Sequence, residues 1–197
     1  MKKTFNILLV ALIMLVACML TSSLQAQSTK TIITNTGSMK LSGTSTMHDW
    51  TMNGIFQVEG KFKLSDGSDQ LQSLNELSFL LPVENLKSDR KKLDETAYKA
   101  LKTDQYKDIL FTMTSARITD VQNNKYFISA QGDLTIAGVT NPITMNVCWQ
   151  LNPDKTIICT GIQKLKMTAF QVKPPSFLGF MKTGDDISLD FAFQFKS

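Results

Sequence analysis

Between Trp50 and Leu64 every second residue is apolar or glycine: Trp50, Met52, Gly54, Phe56, Val58, Gly60, Phe62 and Leu64. The residues between them are Thr51, Asn53, Ile55, Gln57, Glu59, Lys61 and Lys63, nearly all polar. Side chains of a strand alternate between faces with a period of 2, so the stretch reads as one long strand with a greasy face and a wet face. It is far longer than an ordinary strand of roughly 5–6 residues. A strand of that length must curve. Gly54 and Gly60 lie on its apolar face, where a missing side chain lets a sheet bend or leaves room for something enclosed. The pattern predicts a sheet that closes on itself.

The same period recurs along the chain. A first strand is expected near Gly37–Thr46, with Met39 and Leu41 inward. Leu77, Phe79, Leu81 and Val83 alternate next, and Pro82 marks an edge or a strand end. Ile109–Met113 is followed by a parity slip to Ala116 and Ile118, which predicts a bulge. Tyr126, Ile128, Ala130, Gly132, Leu134 and Ile136 form one even-numbered stripe, and Ile143, Met145, Val147, Trp149 and Leu151 an odd-numbered one. Thr156–Met167 returns, and Ile187, Leu189, Phe191, Phe193 and Phe195 close the chain. Ser88–Thr103 differs: Leu93, Ala97, Ala100 and Leu101 fall at helical spacing, with Ser88, Asp89 or Asp94 available as caps. About eight strands with short turns and one helical insertion predict an all-β, extended antiparallel barrel, since eight strands can just close around one small ligand.

The N-terminus carries a targeting pattern. Lys2 and Lys3 precede an apolar run from Ile7 to Leu20, and Thr21–Ala26 supplies a small-residue cleavage region. This divides the chain into a signal peptide at 1–26, an N-terminal tail at 27–36 and a barrel domain at 37–197. The run is short for a membrane span of about 20 residues. A lipoprotein reading, with Leu15-Val16-Ala17-Cys18 preceding an anchored Cys18, is the alternative. Both place the mature protein outside the cytoplasm, periplasmic or secreted, and the Lys-Lys-apolar opening has a bacterial style. Loss of Lys2 and Lys3 lowers the formal charge of +4 by two. So weak and scattered a charge argues against a nucleic-acid surface.

Cys148 and Cys159 flank the turn Asn152-Pro153-Asp154-Lys155. A regular two-residue hairpin there would set them opposite each other on the outer face, so either a cross-strand disulfide or two half-buried thiols is expected. Two cysteines and a single distant histidine do not make a zinc motif, and no metal or other cofactor is expected. The abundant methionines, including Met47, Met52, Met113, Met145, Met167 and Met181, read as adaptable apolar filling. No phosphate loop, nucleophile elbow, HExxH or CxxC occurs. His48 with Asp49 is either a turn histidine, a polar group at a ligand entrance, or half of a hydrolase-like catalytic pair; the missing partners point away from an enzyme. Asp185-Asp186 reads as a solvated turn beside Gly184. Thr168–Gly184 is apolar for a loop, with Phe170, Phe177, Leu178, Phe180 and Met181, and is either a plug over the core or the mouth of a pocket.

Four stretches carry a resemblance to a known family. They are Gly43-Thr44-Ser45-Thr46-Met47-His48-Asp49-Trp50; Leu86-Lys87-Ser88 with Leu93-Asp94, Tyr98-Lys99-Ala100-Leu101 and Ile109-Leu110-Phe111; Gly132 to Thr140 with Pro142-Ile143; and Met167-Thr168-Ala169-Phe170 with Val172-Lys173-Pro174-Pro175 and Met181 to Asp185. In that order the chain resembles the YceI-like family of lipocalin-like, polyisoprenoid-binding periplasmic proteins over about Gly37 to Phe195. It departs at Ala169, where that family often has an acidic residue. The resemblance implies an apolar cavity for an isoprenoid lipid, such as a quinone tail or polyprenyl chain, and no catalysis. The inward candidates are Trp50, Met52, Phe56, Val58, Phe62, Tyr126, Ile128, Leu134, Ile136, Met145, Trp149, Phe170, Phe177, Phe191 and Phe193. His48 and Lys182 are the candidates for a polar mouth. The rival expectation is a structural or interaction module whose barrel is filled by its own side chains.

Overall fold

The computed structural model of the protein describes residues 29–65, 70–154, 156–177 and 181–196, with the backbone alone at 29–35, 177, 181 and 196. Residues 1–26, where the sequence pattern leads one to expect a signal peptide, and the expected turn residues Asp66–Asp69 lie outside the described residues. The strands are β1 (Thr29–Ser45), β2 (Trp50–Leu64), β3 (Leu71–Pro82), β4 (Asp108–Gln122), β5 (Lys125–Ile136), β6 (Val139–Leu151), β7 (Thr156–Lys166), the two-residue β8 (Ser176–Phe177) and β9 (Met181–Lys196). Among the described residues one α-helix, α1 (Lys91–Ala100), joins β3 to β4. The long strands pair antiparallel in chain order, and β1 also pairs with β9, so the sheet is an eight-stranded closed barrel. Among the described residues no helix is long and apolar enough to cross a membrane.

β2 follows its sequence pattern closely. Met52, Gly54, Phe56, Val58, Gly60 and Phe62 are buried while Thr51, Asn53, Ile55, Gln57 and Glu59 are exposed. Gly54 and Gly60 serve packing and bending rather than empty space. A Cβ at Gly54 would stand 3.1 Å from Leu86 Cδ2, and one at Gly60 3.3 Å from the Glu76 carbonyl oxygen. Register shifts on β3 fall directly after Gly60, between Lys61 and Phe62. The slip expected in β4 is present as two shifts, between Met113 and Ser115 and between Ile118 and Asp120. Pro82 ends β3, and a 3-10 turn at Val83–Asn85 follows it.

Three boundaries differ from the sequence reading. β1 begins at Thr29, because Thr29–Thr34 already pairs with Val58–Lys63 of β2, so part of the expected tail is strand. The helix is shorter than Ser88–Thr103. Arg90 occupies its N-cap with no side-chain cap, and Asp94 instead turns back to accept from Ser88 N and Ser88 Oγ, both at 2.7 Å. The third difference concerns the cysteines. Asn152 N donates to Thr156 O, and the Asp154 carboxylate accepts from Thr156 N and Oγ1. That adds one residue to the turn and shifts the register by one. Trp149 therefore faces Cys159, and Cys148 faces Thr160. Cys159 points inward and is fully buried, Cys148 is half-exposed on the other face, and both are free thiols, so no disulfide joins them.

Trp149 lies at the centre of an aromatic cluster that fills one end of the barrel. Its ring centroid is 5.3 Å from Phe195 and 5.8 Å from Phe62, and Phe195 is 5.2 Å from Phe193. Such tilted and edge-on pairs add about 0.5–1.5 kcal/mol each beyond burial. The Trp149 Nε1–H has no oxygen or nitrogen partner among the described residues, and the residue opposite it in register is Cys159, whose thiol it faces. Trp149→Ala is expected to cost about 3–5 kcal/mol in a denaturant titration. Burial also raises the Cys159 thiol well above its ordinary pKa. In protein carrying Cys18→Ser, a thiol reagent should titrate Cys148 in the native state and Cys159 only on unfolding. A fall in Tm on adding reductant would contradict the free-thiol arrangement.

Candidate ligand-binding site

Opposite the aromatic cluster the barrel is hollow. A cavity of about 130 Å³ lies among residues from every long strand, the helix and the loop after β7. The change from filled to hollow occurs part-way along the strands. On β2, Trp50, Met52 and Phe56 line the cavity, while Val58 and Phe62 lie below it. On β9, Ile187, Leu189 and Phe191 line it, while Phe193 and Phe195 lie below. Ile143 and Met145 line it on β6, with Val147 and Trp149 below; Leu134 and Ile136 line it on β5, with Ile128 and Tyr126 below.

The inward residues expected from sequence thus separate into two sets. Trp50, Met52, Phe56, Leu134, Ile136, Met145, Phe170 and Phe191 line the cavity. Val58, Phe62, Tyr126, Ile128, Trp149 and Phe193 are buried but belong to the filled end. The side chain of Phe177 is outside the described residues. Alternation reports which face of a strand is inward; it carries no coordinate along the barrel axis. That is why one stripe contributes to both halves.

The lid is the helix. Leu93, Thr96, Ala97 and Ala100 of α1 and its C-cap Leu101 face the cavity at spacings of three, four, seven and eight, which is one side of a helix. The apolar side of the helix that the sequence spacing marks out therefore covers the open end. Tyr98 fastens the connection to β3: its hydroxyl lies 2.8 Å from the Leu86 carbonyl oxygen, and Leu86 itself lines the cavity.

The side wall opens between β6 and β7. They pair only over Val147–Leu151 and Ile157–Gly161. Above that level Ile143 on β6 and Gln163 on β7 both line the cavity, together with Met167 and Phe170 of the 3-10 turn Met167–Phe170. This turn answers the plug-or-mouth question for its described part: Met167, Phe170, Val172 and Pro175 form cavity wall. Leu178–Phe180 lie outside the described residues. The turn is held at two points. Asn141 Nδ2 donates to the Ala169 carbonyl oxygen at 2.7 Å. The Asp185 carboxylate accepts from Thr168 N at 2.8 Å and Thr168 Oγ1 at 2.7 Å. Asp185 is therefore a clasp, not the solvated turn residue expected from sequence. The two hydrogen bonds from Thr168 hold its carboxyl below the ordinary pKa.

Among the described residues no charged side chain lines the cavity; Thr96, Gln163 and Thr183 are the polar ones. His48 and Lys182 are exposed and outside the lining. Both stand at the rim. Ser45 Oγ ties the His48 backbone at 2.7 Å and 3.1 Å, and Thr46 N donates to the Lys182 carbonyl oxygen at 3.0 Å. Met39, Leu41, Phe79, Leu81 and Ile109 are lining residues that sequence reasoning placed on strands without assigning them to the site. Their alternation was the available signal. Among the described residues there is no group of three or more His, Cys, Asp or Glu side chains able to hold a metal.

The YceI-like domain model matches residues 24–195. The chain belongs to the YceI-like family. BcnA of Burkholderia cenocepacia superposes on this YceI-like domain with a TM-score of 0.61 at 17% identity, covering 80% of this chain and 95% of BcnA. A structure described as a polyisoprenoid-binding domain from Saccharophagus degradans gives 0.60 at 10% identity, covering 86% and 99%. The YceI protein of Campylobacter jejuni gives 0.53 at 19% identity, covering 71% and 81%. No curated protein sequence matches. At these identities the likeness concerns the fold.

The clasp makes this YceI-like domain sensitive to acid. A depressed carboxyl pKa contributes stability that is present above the unfolded value of about 4 and is lost as pH falls through the folded value. Thermal melts should show Asp185→Asn less stable than wild type at pH 7, with the gap closing below about pH 4. A gap independent of pH would show that the carboxylate is not the clasp.

Proposed function

We propose that this protein is an exported carrier that holds an isoprenoid-type lipid, such as a quinone tail or polyprenyl chain, within the hollow half of its barrel and performs no covalent chemistry. The observation that carries this reading is the cavity wall. Among the described residues it is almost wholly apolar, with three neutral polar side chains and no charged one. Each methylene that leaves water for such a wall is worth about 0.8 kcal/mol. The family membership and the description of the Saccharophagus domain as polyisoprenoid-binding support the same ligand class. In this reading the eight expected residues on the wall contact the chain, and His48 and Lys182 at the rim meet a polar head group. The filled end belongs to the barrel's own stability.

Export rests on Lys2-Lys3, the apolar run Ile7–Leu20 and the small residues up to Ala26, with the periplasm or the cell exterior as destination. Anchoring at Cys18 is the alternative route to the same side of the membrane. The rival reading, a self-filled interaction module, draws on the aromatic cluster but leaves the hollow half without a purpose.

Ala97 is half-buried on α1 and lines the cavity from the lid. Ala97→Phe should fill part of the cavity while leaving the sheet untouched. Uptake of an isoprenoid quinone, followed by quenching of tryptophan fluorescence, should weaken at least about tenfold, the cost of roughly two buried methylenes. Organic extraction of wild-type protein from its host, followed by mass spectrometry, should return a lipid. Absence of any lipid together with no quinone uptake would sink the proposal.

A further inference from the structure

The gap between β6 and β7 is a framed window in the barrel wall. β6 keeps β5 as a neighbour up to Val139, and β7 keeps β9 up to Lys166. Among the described residues the two strands have no register with each other beyond Val147 and Gly161, and that pair forms the lower edge. The upper edge is the 3-10 turn Met167–Phe170, tied back to β6 where Asn141 Nδ2 donates to the Ala169 carbonyl oxygen at 2.7 Å. Pro142 stands on β6 beside the gap; a proline has no N–H to give a ladder and belongs at an edge. Each strand has a partner on one side only along this stretch, so its backbone N–H and C=O groups face the window without a strand partner.

Gln163 is the polar side chain of β7 that lines the cavity here, half-buried and in register with Leu189, another lining residue. A primary amide offers two N–H donors and an acceptor oxygen. One donor of Gln163 reaches only the next residue, from Nε2 to the Lys164 carbonyl oxygen at 3.1 Å. The other polar lining residues are placed differently. Thr96 Oγ1 donates within the helix to the Lys92 carbonyl oxygen at 2.7 Å, and Thr183 stands at the rim in register with Ser45.

We infer that the window is the head-group subsite, where Gln163 donates a hydrogen bond to an uncharged carbonyl oxygen, as on a quinone ring, while the isoprenoid chain lies in the hollow half. The inference rests on the lipid-binding reading and moves the head group from the rim to the side of the barrel. An uncharged head suits a wall with no charged side chain among the described residues. In an apolar pocket a few placed polar groups set the orientation of the ligand, and a group that bonds an oxygen discriminates against the analogue lacking it.

The test compares a benzoquinone carrying a geranylgeranyl chain with geranylgeranylbenzene, the same ring and chain without oxygens. The quinone is titrated by quenching of tryptophan fluorescence, Trp50 lying on the cavity wall, and the benzene by displacement of the quinone. Wild type should prefer the quinone. Gln163→Met keeps the side chain's length, and it should cut that preference by about three- to tenfold, the worth of one hydrogen bond, while geranylgeranylbenzene binds as before. The carbonyl stretch of the quinone bound to wild type should lie below its position in hydrocarbon solvent and return toward it in Gln163→Met. Equal weakening of both ligands in Gln163→Met, or a carbonyl stretch unshifted in wild type, would overturn the subsite. A preference that follows His48→Ala, Lys182→Ala or Thr183→Val instead would place the head group at the rim and overturn the window while leaving lipid binding intact. No binding of either ligand would overturn the lipid-binding reading and the subsite with it.

Discussion

Pairing between β1 and β9 turns a meander into a ring, and the rest of the structure depends on that closure. Without it β1 and β9 would each expose a row of unpaired N–H and C=O groups. With it every long strand has neighbours on both sides, and one face of each is removed from water. Closure explains why strands of 15 to 17 residues persist here. It also creates an interior with two possible fates. Eight strands enclose a space that side chains can just fill or leave partly open.

Both fates occur, one at each end. Trp149, Phe62, Phe195 and Phe193 fill one half by volume. In the other half the same stripes carry Met52, Met145, Leu134 and Leu189, which leave the axis open. Glycines opposite large rings recur along the hollow half. Gly37 faces Phe56, Gly43 faces Trp50 and Gly161 faces Phe191 in register. Each lets a ring lie over its neighbour's backbone. The rings' placement, and with it the shape of the cavity, is thus set by residues that have no side chain.

The hollow end is also where the sheet is least continuous. β6 and β7 part above Val147 and Gly161, and the wall is completed by the 3-10 turn Met167–Phe170 and by α1. Loops and short helices are held by few bonds, here Asn141 to Ala169, Asp185 to Thr168 and Tyr98 to Leu86. Local opening is drawn from such weakly held elements. A rigid aromatic half thus supports a half whose cover is tied by individual polar contacts. Ala169, where the family resemblance leads one to expect an acidic residue, contributes only its carbonyl oxygen to this arrangement.

The sequence by itself determined the strands, their inward faces and the closed sheet, because alternation with period 2 is a local property of extended backbone. It also determined the helix and its apolar side, Leu93, Ala97, Ala100 and Leu101, and the family through four ordered motifs. Tertiary structure alone decided the rest. Whether an inward residue lines the cavity or fills the end depends on its height in the barrel, which separates Phe56 from Phe62 on one strand and Phe191 from Phe195 on another. The partner of Cys159 depended on one extra turn residue, fixed by Asp154 and Thr156, and a slip of one position exchanged the faces. The function of Asp185 depended on Thr168, seventeen residues away. These outcomes arise from contacts between distant segments, and no local pattern encodes them.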